Sequence, residues 1–312
     1  MVSWLGASPF RGVRHRKRSC SGLGWAWLLT SGTLGVFVGC TSTHEEVTHG
    51  RLRLAGTGGA ARVLRAEADS FSVRYRNSTI ERLGGGTVGG LEAMLNREAD
   101  VAVISRDLND AERQAAKDAG ADLALYAFAH DGIAVIVHPK SQVYGMAAEE
   151  AAGIFTGRIT DWGEVGGAPG WIRVYTTGVE DGATGFVRKA LLGGADFLTG
   201  AGRALTTQAV ADSVAEHEDA IGYASMADLT ERVKALPLAP LGGGPLKVLD
   251  VETVYRKEYP LVRTLYFGTR SIPRDDLLSG FISYVMSTEG QKIVLDQGLV
   301  PATVPLRIKR EN

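Results

Sequence analysis

The chain has 312 residues, with 34 Lys and Arg against 35 Asp and Glu and a formal net charge of −1. Five of the bases lie in the first 18 positions; without them 29 bases face all 35 acids, about −6, which argues against nucleic acid as a partner. It does not argue against a small anion, whose binding depends on local donors and not on net charge.

Residues 1–39 read as a leader outside the fold. Arg11, Arg14, Arg16, Lys17 and Arg18 form a basic cluster with no acid among them, and an apolar run from Gly22 to Val38 follows and ends at Gly39-Cys40. Basic flank, apolar stretch and small residue before a break make the layout of a secretory signal peptide. A cysteine directly after it resembles a bacterial lipoprotein signal, in which Cys40 is lipidated and becomes the new N-terminus. Phe37 stands where such signals usually carry leucine. The alternative is an uncleaved signal-anchor helix, at the lower limit of a membrane span. In both cases the positive flank stays inside, so the bulk of the chain is expected outside the cytoplasm, in the periplasm or at the cell surface. Two or more acyl chains on Cys40 make attachment to the membrane stable, and residues 40–49 then form a polar tether. Cys20 lies in the leader, which leaves Cys40 as the single cysteine of the remaining 273 residues. No disulfide framework is available, and no Cys/His cluster has zinc spacing; neither a metal nor a cofactor is expected.

From residue 50 onward, short β-like runs alternate with helical ones. Strands are predicted at 51–55, 71–76, 101–105, 123–128, 132–138, 172–177, 220–224, 246–250 and 261–267. Helices fall between them, such as 109–119 with Asn109 as its N-cap. Another covers 275–286, where Leu277, Leu278, Phe281, Ile282, Val285 and Met286 form one apolar stripe that reads as core packing. Alternation of this kind predicts α/β layers with helices on both sheet faces. No internal repeat stands out.

Three Gly/Thr turns, at 56–60, 84–90 and 181–185, each introduce a helix; the second is expected to open one near Leu91. The first and third directly follow β-like runs, as does Ser105-Arg106-Asp107. Helix N-termini carry unpaired N–H groups and a partial positive charge. Glycine allows a ligand close to that backbone, and threonine adds a hydroxyl. Ligands of open α/β sheets gather at the carboxyl ends of strands, so four loops converge on one cleft suited to a small oxyanion. Taken singly, a Gly-rich turn merely connects elements.

Six segments occur in an order that resembles one family. They are Gly84-Gly85-Gly86-Thr87, ADVAVISR at 99–106, DGIAVIVHP at 131–139, IFTGRITDW at 154–162, AIGYA at 220–224 and YPLVRTLYF at 259–267. Together they are similar to the phosphate-binding protein of the bacterial phosphate ABC importer. The resemblance covers about residues 50–302 and implies a two-lobed, periplasmic-binding-protein-like (type II) α/β fold. In that fold 50–134 and 241–312 form lobe one, 135–240 form lobe two, and the anion sits between them. It further implies inorganic phosphate or a similar oxyanion as ligand, ABC importer membrane subunits as partners, and a monomer.

Carried over by position, the resemblance implies ligand contacts from Thr57, Gly58 and Gly59 in the first turn and from Thr87 and Val88 in the second. It adds Ser105 and Arg106, and Asp181, Gly182, Ala183, Thr184 and Gly185 in the third turn. The match is uneven. Gly58, Gly59 and Gly89 stand where the family carries hydroxyls, and the third turn lacks the family's arginine, with Thr184 as its only hydroxyl. A micromolar site needs about −8 kcal/mol, and each bond to a charged group contributes roughly 1.5–3 kcal/mol. Losing the arginine and two or three hydroxyls would weaken phosphate binding by about a thousandfold unless other groups compensate.

Each candidate also has a plainer reading. Arg106 would be an ion pair with Asp107 or another acid, Glu180 and Asp181 helix-start acids, and Thr57, Thr87 and Thr184 N-caps. His130, His138 and Asp161-Trp162 read as structural. For the whole chain, the rival to phosphate capture is a sensor or scaffold of the same fold with a degenerate cleft. An enzyme is not supported, because no Ser/His/Asp set, metal spacing or nucleophile elbow is present.

Overall fold

The computed structural model describes residues 49–303 apart from 57, 179, 180 and 275; the leader, Cys40 and all of the tether except His49 fall outside. The first half holds β1 (Gly50–Ala55), α1 (Ala61–Arg74), β2 (Ser78–Leu83), α2 (Gly86–Leu95), β3 (Val101–Ile104), α3 (Asp110–Asp118), β4 (Ala124–Val137), β5 (Met146–Ala147) and α4 (Ala148–Phe155). There follow β6 (Arg173–Thr177), α5 (Gly182–Ala190), β7 (Gly202–Ala204), α6 (Thr207–Glu216), β8 (Ala220–Ser225), β9 (Lys234–Ala235) and β10 (Leu238–Ala239). The chain closes with α7 (Val251–Tyr255), β11 (Val262–Thr269), α8 (Leu277–Met286), α9 (Thr288–Asp296) and β12 (Val300–Pro301).

One sheet runs through the molecule in the order β2-β1-β3-β11-β4-β8-β6-β7. β1, β2 and β3 are parallel, as are β6, β7 and β8, while β11 lies antiparallel between β3 and β4. β4 joins the two groups. Its residues 124–132 pair with β11, and 133–137 pair with β8.

Side chains alternate across a strand, and here both sides are buried. Val101 and Val103 of β3 face a core with Leu64 and Phe71 of α1 and Phe281 and Val285 of α8. Ala102 and Ile104 meet Leu91 and Met94 of α2 on the other side. In the second half, Ile133, Val135 and Val137 of β4 join Phe155 of α4 and Val187 of α5. Ala134 and Ile136 join Val210 and Val214 of α6. Helices therefore cover both faces, as the alternation predicts, and near-continuous apolar strands follow from that double burial.

Asn109 caps α3 as expected. Its side chain accepts from the Glu112 amide at 2.8 Å, and Glu112 accepts from the Asn109 amide at 2.9 Å, a reciprocal capping box. The stripe of α8 packs inward, with Phe281 and Val285 fully buried. Asp161 caps a short 3₁₀ turn and Trp162 is buried below it. His130 lies within hydrogen-bond distance of Thr264, at 3.0 Å.

Four expectations are corrected. The run 71–76 is no strand but the end of α1, because Val63, Leu64, Ala68 and Phe71 are buried at helical spacing. The run 246–250 alternates in hydropathy but has no edge to pair with beyond one bridge at Lys247, and Leu246 and Val248 stay exposed. The two predicted strands on either side of residue 130 are one, β4. The second turn opens α2 at Gly86 rather than near Leu91.

Candidate functional site

The first two turns are glycine-rich because their backbones touch. Gly56 has φ +88°, and a side-chain carbon there would lie 2.6 Å from the Gly86 carbonyl oxygen and 2.7 Å from that of Val103. Beyond it, Gly58 and Gly59 form the 3₁₀ turn that leads directly into α1. Among the described residues neither α1 nor α2 has a side-chain cap. Their first amides thus have no capping acceptor and keep the positive end of each helix open. Thr57 lies outside the described residues.

Thr87 is the second residue of α2, not its N-cap. Its hydroxyl is buried, accepts from the Ser105 amide at 3.1 Å and lies 3.1 Å from the Ser105 hydroxyl. Ser105 directly follows β3 and is itself buried. Against this pair packs the start of α5, where a side-chain carbon on Gly182 would sit 1.8 Å from Ser105 Oγ and 3.1 Å from Thr87 Oγ1. Any larger residue there would push the Ser105 hydroxyl aside. α5 and α2 both also contact the 3₁₀ turn of Gly58 and Gly59. Three helix starts and the end of β3 therefore meet at one place. The side chain of Val88 points outward and is exposed.

The third turn is more occupied than the first two. Asp181 caps α5 and accepts from the Ala183 amide at 2.6 Å. The Thr184 hydroxyl does not cap; it turns into its own half of the protein. It lies 2.6 Å from Thr177 Oγ1 and 2.7 Å from the Tyr223 hydroxyl. Burial raises the pKa of Tyr223, so it stays a neutral hydroxyl in that network. Glu180 lies outside the described residues.

Arg106 is an ion-paired residue. Its Nη1 and Nη2 donate to the two Glu112 oxygens at 2.9 and 2.7 Å, with both side chains mostly buried. The hydrogen bond to Glu112 holds the arginine above its ordinary pKa. Burial pushes Glu112 up, but bonds from Arg106 and the Asn109 amide outweigh it and leave the carboxyl below its usual value. Arg106 Nε faces Gly185, where a side-chain carbon would be 3.3 Å away.

Sequence alone pointed to no role for Asp131, Ser225 and Arg263, although two of them lie in its most specific segments. Asp131 and Arg263 face each other in register on β4 and β11 and are buried. Asp131 accepts from the Ser225 hydroxyl at 2.7 Å and from Arg263 Nε at 2.9 Å. They lie beyond the residues that pair with Ile104 and Ser225, at the carboxyl-end side of β3 and β8. A charged pair deep in apolar strand segments was the available signal. Among the described residues no helix is long and apolar enough to cross a membrane, and no group of His, Cys, Asp or Glu is arranged to hold a metal ion.

Known proteins resemble the chain over most of its length. The chain is 29% identical over 261 residues to the phosphate-binding protein PstS of Bacillus subtilis, covering 83% of each chain. It is 24% identical over 268 residues to PstS of Pseudomonas aeruginosa, covering 81% of this chain and 83% of the relative. Both relatives are named as binding proteins and not as enzymes. A putative phosphate ABC transporter substrate-binding protein from Clostridium perfringens, solved with bound phosphate, superposes with a TM-score of 0.70 at 24% identity. That match covers 81% of this chain and all of the other. An ABC-type phosphate transport receptor from Vibrio cholerae gives 0.69 at 22% identity, over 80% of this chain and all of the other. The chain shares their two-lobed α/β fold. A family model described as a PBP superfamily domain matches residues 41–289, and the chain belongs to that superfamily.

Proposed function

We propose that the protein is an extracytoplasmic solute-binding protein that captures phosphate, or a related tetrahedral oxyanion, for an ABC importer. One observation carries the reading: Gly182 at the start of α5 packs on Ser105 and Thr87, so the uncapped starts of α1 and α2 and the Asp181-capped start of α5 meet at one point. Amides of Gly58, Gly59, Thr87, Val88 and Gly182 then replace the anion's hydration shell, with the Ser105 hydroxyl beside them. Thr57 would add a hydroxyl, and Arg106 Nε with Gly185 would close the rim. The names of the curated relatives support phosphate as the ligand. The leader supports export, with lipidated Cys40 as the membrane anchor and the importer's membrane subunits as partners. The lobes are taken as 50–134 with 241–312, and 135–240, acting as a monomer.

Calorimetry on the purified full-length protein is expected to show saturable, one-site phosphate binding. No heat and no thermal shift with phosphate, sulfate, arsenate, molybdate and tungstate would remove this reading. A second reading keeps the fold without transport, as a sensor or scaffold with a degenerate cleft. It is favoured by the third turn, where Asp181 already occupies the Ala183 amide and Thr184 is tied to Thr177 and Tyr223. Tight phosphate binding would count against it.

A further inference from the structure

The third turn lacks the arginine that the family resemblance leads one to expect, and Arg106 spends both terminal nitrogens on Glu112. Another guanidinium lies closer to the centre of the site. Arg263 is 2% exposed on β11, deep between the two halves of the sheet. Only one of its edges is used. Nε donates to Asp131 Oδ2 at 2.9 Å, and Nη2 lies 2.8 Å from the same oxygen. Among the described residues neither Nη1 nor Nη2 has a hydrogen-bond partner.

Guanidinium carries five N–H groups in a rigid fork. Leaving the outer ones unpaired in a dry interior is costly, because each has given up water for nothing. The direction of the open edge is informative. A side-chain carbon at Gly59 would lie 3.0 Å from Arg263 Nη2, so the fork faces the turn that opens α1, where the amides have no side-chain cap. Asp131 is fixed from its other side by Ser225 at 2.7 Å, which leaves the guanidinium plane little freedom.

We propose that Arg263, rather than Arg106, is the main guanidinium that grips the bound oxyanion. Its open edge offers two roughly parallel N–H groups to two oxygens of the guest, while the helix-start amides take the others. Since Asp131 neutralises it, the site holds the anion by directed donors and not by surplus charge. This rests on the reading of the cleft as an oxyanion site. It also supplies the compensation missing from the third turn.

The test compares three variants for inorganic phosphate affinity by calorimetry, with thermal melts to confirm folding. Arg263→Lys keeps the charge and the partner for Asp131 but loses the fork; its dissociation constant should rise about tenfold or more. Combining Arg263→Gln with Asp131→Asn leaves no lone buried carboxylate and should cost about a hundredfold or more. Arg106→Gln should lose less than either. If folded Arg263→Lys binds phosphate as the wild type does, or loses less than Arg106→Gln, Arg263 is not the gripping group. Independently of any variant, saturating phosphate should shift the side-chain NMR signals of one slowly exchanging, buried guanidinium in the ¹⁵N-arginine-labelled wild type. No such response overturns the inference. A wild type that binds no oxyanion at all removes the cleft reading together with this one, whereas indifferent Arg263 variants in a binding protein remove this one alone.

Discussion

Glu67, on the inner side of α1, is fully buried, and among the described residues neither of its oxygens has a hydrogen-bond partner. Burial, helped by the charge of Glu289, pushes its pKa up to about 9 from 4.5. The folded protein thus keeps a proton that the unfolded chain releases near 4.5. Between those values the native state binds more protons, so stability falls as pH rises through that window. Glu67→Gln removes the dependence. Its melting temperature should gain on the wild type by about 2 °C per pH unit between pH 5 and 9; parallel pH profiles would contradict this. At the cleft, Gly182→Ala would drive a methyl into Ser105 Oγ and force that hydroxyl off Thr87. Phosphate affinity should drop about tenfold or more while the melting temperature moves by only a few degrees. Some of the site was legible in the chain, since glycines at strand-to-helix turns mark backbone approach. The direction of a hydroxyl was not. Thr87 and Thr184 read alike, yet one turns to Ser105 and the other into a network with Tyr223. Nor does anything in Tyr259-Pro260-Leu261-Val262-Arg263 tell an unfinished guanidinium from a satisfied one, because that depends on Asp131 lying 132 positions away.

The elements that the chain announced are those with local signals. α3 has its capping box, and α8 has a stripe of six apolar residues at helical spacing. Asn109→Ala should cost about 1 kcal/mol, readable from urea melts. It also loosens Glu112, which partners Arg106, so the effect should exceed that of a cap mutation elsewhere. Phe281→Ala should cost about 3–5 kcal/mol, since Phe281 packs edge-on against Phe71 at 5.3 Å in a full core. A loss under about 1 kcal/mol would mean the core collapses around the gap. β2 was missed for the opposite reason. Its Ser78–Leu83 stretch is polar and partly exposed at the sheet edge, and only its parallel register with β1 makes it a strand. Gln291 carries no local signal in the sequence, yet it is buried. Its side chain bonds Phe128 and Val285 carbonyls and the Ala302 and Thr303 amides, pinning residues 302 and 303 to β4.

At the scale of the whole molecule, the alternation of short elements foretold the layers but not the way they are joined. Residues 123–128 and 132–138 look like separate strands, because His130 and Asp131 interrupt the apolar run. The interruption is chemical only. Pairing with β11 carries the backbone straight through, and the polar residues sit where the two groups of strands meet. Sharing β4 couples the halves. Scanning calorimetry should therefore show a single unfolding transition, and two well-separated peaks would contradict the coupling.

That shared strand also limits how the protein can be taken apart. A fragment stopping at residue 137 would carry β4 with its β8-facing edge bare and without β11 to cover the other. A fragment beginning there would lack the strand on which β8 is laid. Loose edges of this kind recruit other chains. Neither piece is a spare part, and dividing the chain between them should yield aggregate rather than two folded fragments.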